Sequence, residues 1–152
     1  MVKYESKKGV VSRPPYELYM AFVDMRNFQQ MLPEDKKSLV TADYDTISAT
    51  VQGYTIGAKV HSRTPYSKIE LVDWGAPFGF HVTFRFDSVG LPDKTEFSIE
   101  VEADLNFMMK MMLGGKIKEA LDKVVDSLVA MSEGRMPEGV DLDTLRKNGF
   151  NI

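Results

Sequence analysis

Between Gly79 and Ala103 the sequence alternates apolar and polar residues with a period of two, and this alternation restricts the fold more than any other feature. Phe80, Val82, Phe84 and Phe86 share one side of one segment, and Phe97, Ile99, Val101 and Ala103 share one side of the next. Between them stand His81, Thr83 and Arg85, then Glu96, Ser98, Glu100 and Glu102. Successive side chains of a strand point to opposite faces, so the pair predicts a sheet with one apolar and one wet face. The apolar face needs a cover. The segment from Leu105 to about Met131 supplies it: Leu113, Ile117, Ala120, Leu121, Val124, Leu128 and Met131 recur at helical spacing with charged residues between them. At 1.5 Å per residue such a helix is about 40 Å long, enough to cross a sheet. Gly134 is its predicted stop. Gly114 and Gly115 in its middle each cost about 1 kcal/mol relative to alanine, which marks a kink or a close backbone approach.

Turn chemistry recurs at Asp43 and Asp45, Gly53, Thr64-Pro65, Gly75-Ala76-Pro77 and Gly90-Leu91-Pro92-Asp93. That spacing, about ten residues, predicts consecutive antiparallel strands over 39–42, 46–52, 54–63, 67–74, 79–89 and 94–103. A first strand over 4–11 makes seven in all. After it, Ser12 and Pro14-Pro15 open a short helix with Leu18, Ala21 and Phe22 on its inner side. A second helix, 27–31, has Phe28, Met31 and Leu32 as its buried side and Pro33 as its end. Residues 1–134 read as one domain and 135–152 as an extension, in which Asp141 caps one short helix.

The chain has 152 residues, 43% of them hydrophobic and 27% charged, which suits a single soluble domain with a core that needs neither disulfides nor a structural metal. Zero cysteines remove thiolate metal sites, iron–sulfur clusters and thiol nucleophiles from the possible chemistries. A net charge of -3 argues against a protein built to hold nucleic acid phosphates. Lys3, Glu5, Lys7 and Lys8 interrupt the N-terminal segment, which therefore lacks the hydrophobic run of a secretory signal. The apolar segments elsewhere fall short of the ~20 residues of a membrane span. A cytoplasmic location and no integral membrane association are the expectations.

One strand, two short helices, six antiparallel strands and a long C-terminal helix is the order of the helix-grip fold, and the chain resembles the START-like superfamily, also called SRPBCC. The matching residues are Pro14-Pro15-Tyr16-Glu17 with Leu18 and Phe22, then Asn27-Phe28 and Leu32-Pro33. Asp45-Thr46-Ile47-Ser48-Ala49, Arg63-Thr64-Pro65-Tyr66-Ser67 and Glu102-Ala103-Asp104-Leu105-Asn106 are similar to the bacterial polyketide cyclase-like branch. The resemblance covers about Lys3 to Met131. It implies an α+β fold with a seven-stranded curved antiparallel sheet, a long helix over its concave face, and a deep apolar cavity between them. The superfamily uses that cavity for lipids, sterols, polyketides and plant hormones, in carriers and enzymes alike, and has no single catalytic motif to carry over.

On this reading the expected partner is a small hydrophobic molecule such as a lipid or polyketide-like compound. Its binding residues are expected to be Ile56, Val60, Leu71, Phe80, Phe84, Phe97 and Ile99 on the sheet, with Met109, Met112 and Leu113 on the helix. No cofactor and no metal are called for. His61 and His81 fall on the outer face by strand parity and lack an HExxH spacing, so they read as surface residues. Lys59, Arg63 and Arg85 fall on that same face with Glu70, Glu96, Glu100 and Glu102, as a charge-paired exterior. Trp74, Pro77 and Phe78 gather with Phe80 at one hairpin, either as a cavity rim or as ordinary packing. Met108, Met109, Met111 and Met112 serve the core, a ligand or an outward contact such as a homodimer; monomer and homodimer both stay open.

Two further classes remain. A cyclase, aromatase or dehydratase would need inward polar groups, for which parity offers only Ser62 and Asp73; carboxylates at strand ends, as Asp73 and Asp104 are, serve more often as turn or helix caps, Asp104 for the long helix. A ligand-free interaction module would show a filled core and an exposed apolar patch instead.

Overall fold

The computed structural model describes residues 1–30, 34–51 and 53–134. Its sheet has eight strands: β1 (Val2–Glu5), β2 (Gly9–Val11), β3 (Val40–Ala42), β4 (Thr46–Val51), β5 (Tyr54–Thr64), β6 (Lys68–Asp73), β7 (Phe80–Ser88) and β8 (Thr95–Ala103). Their order is β1-β8-β7-β6-β5-β4-β3, with β2 also on β8, and all the pairings are antiparallel. The expected first strand is thus two short ones. Ser6 makes the break: its Oγ accepts from the Ile99 amide at 2.8 Å and donates to the Lys7 carbonyl at 2.7 Å, so a side chain replaces part of the backbone ladder. The Lys7 amide turns away to Asp122, 2.6 Å distant on the long helix.

The helices are α1 (Pro15–Phe22), α2 (Arg26–Gln30) and α3 (Phe107–Ser132), with a 3-10 turn over Glu34–Leu39. Pro14 and Pro15 open α1 where amide hydrogens have no intrahelical partner. Its buried residues are Leu18, Tyr19 and Phe22; Ala21, expected inside, is exposed and Tyr19 takes the inner position. In α2, Phe28 is half-buried and stacks at 5.5 Å on Phe84, whereas Met31, Leu32 and Pro33 lie outside the described residues. So does the extension 135–152 with its expected helix. The cap of α3 is Asn106 rather than Asp104: Asn106 Oδ1 accepts from the Met109 amide at 2.9 Å. Gly134 ends the helix at φ 78, a left-handed conformation open to glycine.

A bulge between Val60 and Ser62 changes the two faces of β5. Up to Val60, which pairs with inward Leu71, the expected parity holds; beyond it Ser62 pairs with outward Glu70 and Arg63 with inward Ile69. Arg63, expected on the outer face, therefore turns in. Its guanidinium donates to the Val23 carbonyl at 2.9 and 3.1 Å, to the Tyr44 carbonyl at 3.0 Å and to Asp45 Oδ1 at 2.8 Å, and lies 4.3 Å from the Tyr44 ring centre. One planar fork thus ties the α1–α2 junction and the β3–β4 turn to β5.

Lysine is a point charge that cannot reproduce this fork. Arg63→Met is expected to lower unfolding stability by about 2–3 kcal/mol, since charge-assisted bonds count more than neutral ones, and Arg63→Lys to restore less than half of the loss. Urea titrations of the three proteins check this; a full recovery by lysine would contradict the clasp.

Candidate functional site

The inward face of the sheet consists of cross-strand rows fixed by register. Ala103, Phe80 and Ala58 belong to the row nearest the start of α3, with Phe80 and Ala103 buried. Ile99, Phe84 and Ile69 form a row nearer the end of α3, and all three are buried. Phe97 and Phe86 continue that buried region. Between these regions runs the row Tyr4, Val101, Val82, Leu71 and Val60, one residue from each of β1, β8, β7, β6 and β5. Only Leu71 in it is buried; the other four are half-buried.

The core is accordingly divided. One cluster joins α1, the ends of β7 and β8 and the last third of α3; Phe22 lies 5.2 Å from Phe97 and 5.4 Å from Phe84. A smaller one is built on Phe80, Ala103 and Leu105, with Phe78, Met109 and Ile117 against it. Ala58, Val82 and Val101 border both clusters and are fully buried in neither. Tyr4, Val101, Val82 and Val60, on the inward face of the sheet, are thus less completely covered than the buried residues of the rows beside them.

The seating of the helix accounts for this partial cover. Over its 26 residues the buried positions are Val125, Leu128 and Ala130, all in the last third. Val125, not the expected Val124, is the inward residue there, and Ala120 is also exposed. Leu113, Ile117 and Leu121 are half-buried along the same face. Contacts hold α3 over the β1, β2 and β8 side of the sheet. At Gly9 the approach is close: a Cβ there would stand 2.5 Å from Val125 and 2.9 Å from Val129. Lys7 adds an ion pair with Asp126 at 2.9 Å. At the other end the helix shows its apolar side chains to the outside: Phe107 is 78% exposed, Met108 70%, Met111 73% and Met112 57%.

The expected binding residues separate into groups. Ile56 and Val60 are half-buried, and Leu71 is buried in the middle of the row. Phe84, Phe97 and Ile99 belong to the larger cluster and Phe80 to the smaller. Met109 and Leu113 are half-buried beneath α3, whereas Met112 belongs to the exposed stripe. Ala58, Val82, Val101, Tyr4, Ile117 and Leu121, not among the expected binding residues, are half-buried at the edges of the two clusters. For Ala58, Val82 and Val101 the period-two pattern already carried the signal; for Tyr4 lysines on either side obscured it.

Neither acid–base candidate belongs to the half-buried row. Ser62 is on the outer face, where its Oγ donates to Glu70 Oε2 at 2.7 Å, because the bulge reverses its parity. Asp73 is exposed at the end of β6 and its Oδ1 accepts from the Phe80 amide at 3.0 Å, which is a turn-capping role. His61 and His81 stand on the outer face with ring centres 6.4 Å apart. Among the described residues no group of three or more His, Asp or Glu side chains is arranged to hold a metal ion, and no helix is long and apolar enough to cross a membrane. The outer face is charge-paired: Arg85 meets Glu100 at 2.9 Å and Lys68 meets Glu70 at 3.1 Å. Burial raises the Tyr19 phenol above its ordinary value, so this inner hydroxyl stays protonated near neutrality.

No protein-family model and no curated protein sequence matches the chain. Solved structures do. A START superfamily protein from Mycobacterium smegmatis is similar at 17% identity and a TM-score of 0.56, over 83% of this chain and 98% of that one. The Aha1 dimer from Colwellia psychrerythraea is similar at 18% identity and 0.57, over 85% and 97%. CalU16 from Micromonospora echinospora is similar at 17% identity and 0.52, over 93% and 80%. With these structures the chain shares the helix-grip fold, an open antiparallel sheet with a long C-terminal helix across it.

The hydrogen bonds from Ser62 and Lys68 hold the Glu70 carboxyl below its ordinary value of 4.5. A carboxylate lowered in the folded state stabilises it above the unfolded value, and that contribution is lost as the pH falls through the folded one. Glu70→Gln is therefore expected to be less stable than the parent at pH 7, with the difference shrinking from about pH 5.5 downward. Melting temperatures of both proteins between pH 7 and 3 check this; a constant difference would contradict it.

Proposed function

We propose that the protein binds a small hydrophobic molecule, such as a lipid or polyketide-like compound, in the space between the half-buried row and the first two-thirds of α3. The observation that carries this reading is the division of the core: Ala58, Val82 and Val101 border two packed clusters and complete neither. Packing is otherwise dense on both sides, so the gap is local. Chemically the space suits burial of apolar surface. At about 25 cal/mol per Å², a ligand burying ~300 Å² gains about 7 kcal/mol before the costs of association are subtracted. With Ser62 outside and Asp73 engaged at a turn, storage, transport or sensing accounts for the site better than cyclase-like chemistry.

A second reading rests on a different observation. Phe107, Met108, Met111 and Met112 form an exposed apolar stripe on one end of α3, which is what an interaction module would present. The Aha1 neighbour is described as a dimer, and a second copy is one way to cover such a stripe. The two readings differ in what fills the interior.

Val82→Phe separates them. If the row borders open space, the larger ring enters it: the melting temperature is unchanged or higher, and the dissociation constant for the neutral fluorescent probe N-phenyl-1-naphthylamine rises about tenfold or more. If the interior is filled, overpacking costs about 1–3 kcal/mol and probe binding does not change. The second outcome would overturn the binding reading.

A further inference from the structure

Tyr4 brings a polar tip to the half-buried row. It stands at the β1 end, in register with Val101 and, through it, with Val82, Leu71 and Val60. Its ring is half-buried and packs against the smaller core cluster. Its hydroxyl lies beneath α3 at Gly114, where a Cβ would stand 3.0 Å from the oxygen and 3.7 Å from the ring. A side chain at position 114 would crowd the phenol; glycine leaves the hydroxyl its place, at a known cost in helix propensity. Gly115, by contrast, has nothing within 4 Å, so the close approach is at Gly114 alone of the two.

Among the described residues no donor or acceptor is bonded to this hydroxyl. Among the described residues the fully buried side-chain polar atom without a partner is His81 Nε2, on the other face of the sheet, so the Tyr4 oxygen is not fully enclosed. The rest of its row is Val101, Val82, Leu71 and Val60, none of which has a polar side-chain atom. A polar group at the edge of an apolar space fixes the orientation of what enters.

We infer that the ligand is amphipathic, an apolar body with one hydrogen-bonding group held by the Tyr4 hydroxyl under Gly114, rather than a pure hydrocarbon. This rests on the binding reading above and adds the ligand's chemical class and the residue that selects it. Tyr4 is thereby a specificity residue.

The test uses two probes of one shape, naphthalene and 2-naphthol, with dissociation constants measured by equilibrium dialysis at pH 7 for the full chain and for Tyr4→Phe. The expected result is that Tyr4→Phe weakens 2-naphthol about two- to tenfold, the range of one hydrogen bond, and leaves naphthalene unchanged. In the parent protein 2-naphthol is expected to bind more tightly than its partition from water predicts relative to naphthalene, a comparison that needs no variant. Equal changes for both probes, or none, would overturn the assignment of Tyr4 and leave the cavity standing. No binding of either probe to the parent protein would overturn the cavity reading and this inference with it.

Discussion

The structure depends on how α3 is seated. Its last third is pressed onto β2, where Gly9 lets Val125 and Val129 come closer than any other residue would allow. The helix is therefore anchored at one end, and its first two-thirds keep an apolar face that the sheet does not fully cover. A helix with Val125, Leu128 and Ala130 buried satisfies the apolar pattern of the sheet's far half, while Leu113, Ile117 and Leu121 are left half-covered over the near half. The division of the core follows from that seating, and the accessible row from Tyr4 to Val60 follows from the division.

A separate set of contacts holds the opposite rim. Arg63 gathers the Val23 and Tyr44 carbonyls and Asp45, so the small helices and the β3–β4 turn stay in place over the larger cluster. Phe22, Phe28, Phe84, Phe86 and Phe97 pack there with ring centres 5.0 to 6.3 Å apart, the range of favourable aromatic contacts. The larger cluster is thus an aromatic block held at its rim, and the smaller one, on Phe80, Ala103 and Leu105, is packed separately from it.

Much of this was legible in the sequence. The alternation in β7 and β8, the turn chemistry and the long amphipathic helix carry the fold, because each is a local pattern with one physical meaning. What escaped is non-local. The bulge at His61 has no sequence signature, yet it moves Ser62 out and Arg63 in, and so removes one acid–base candidate and creates the clasp. The one-residue shift from Val124 to Val125, and the exchange of Ala21 for Tyr19, reflect the helices' rotation against the sheet, which periodicity fixes only to within a residue or so. Tyr4 was hidden because the strand that carries it is broken at Ser6 by a side-chain hydrogen bond to Ile99. Gly114, by contrast, was visible as a poor helix former in a place that calls for a reason.

The central claim is that an accessible apolar space lies along the row of Val60, Leu71, Val82 and Val101. Methyl-detected NMR of the valines and leucines during titration with benzene tests it most directly, since a dry apolar cavity takes up such a probe while a packed core does not. The account predicts saturable shifts concentrated on the methyls of those four residues. Unmoved methyls along the row, with shifts confined to residues flanking the exposed methionine stripe of α3, would contradict it.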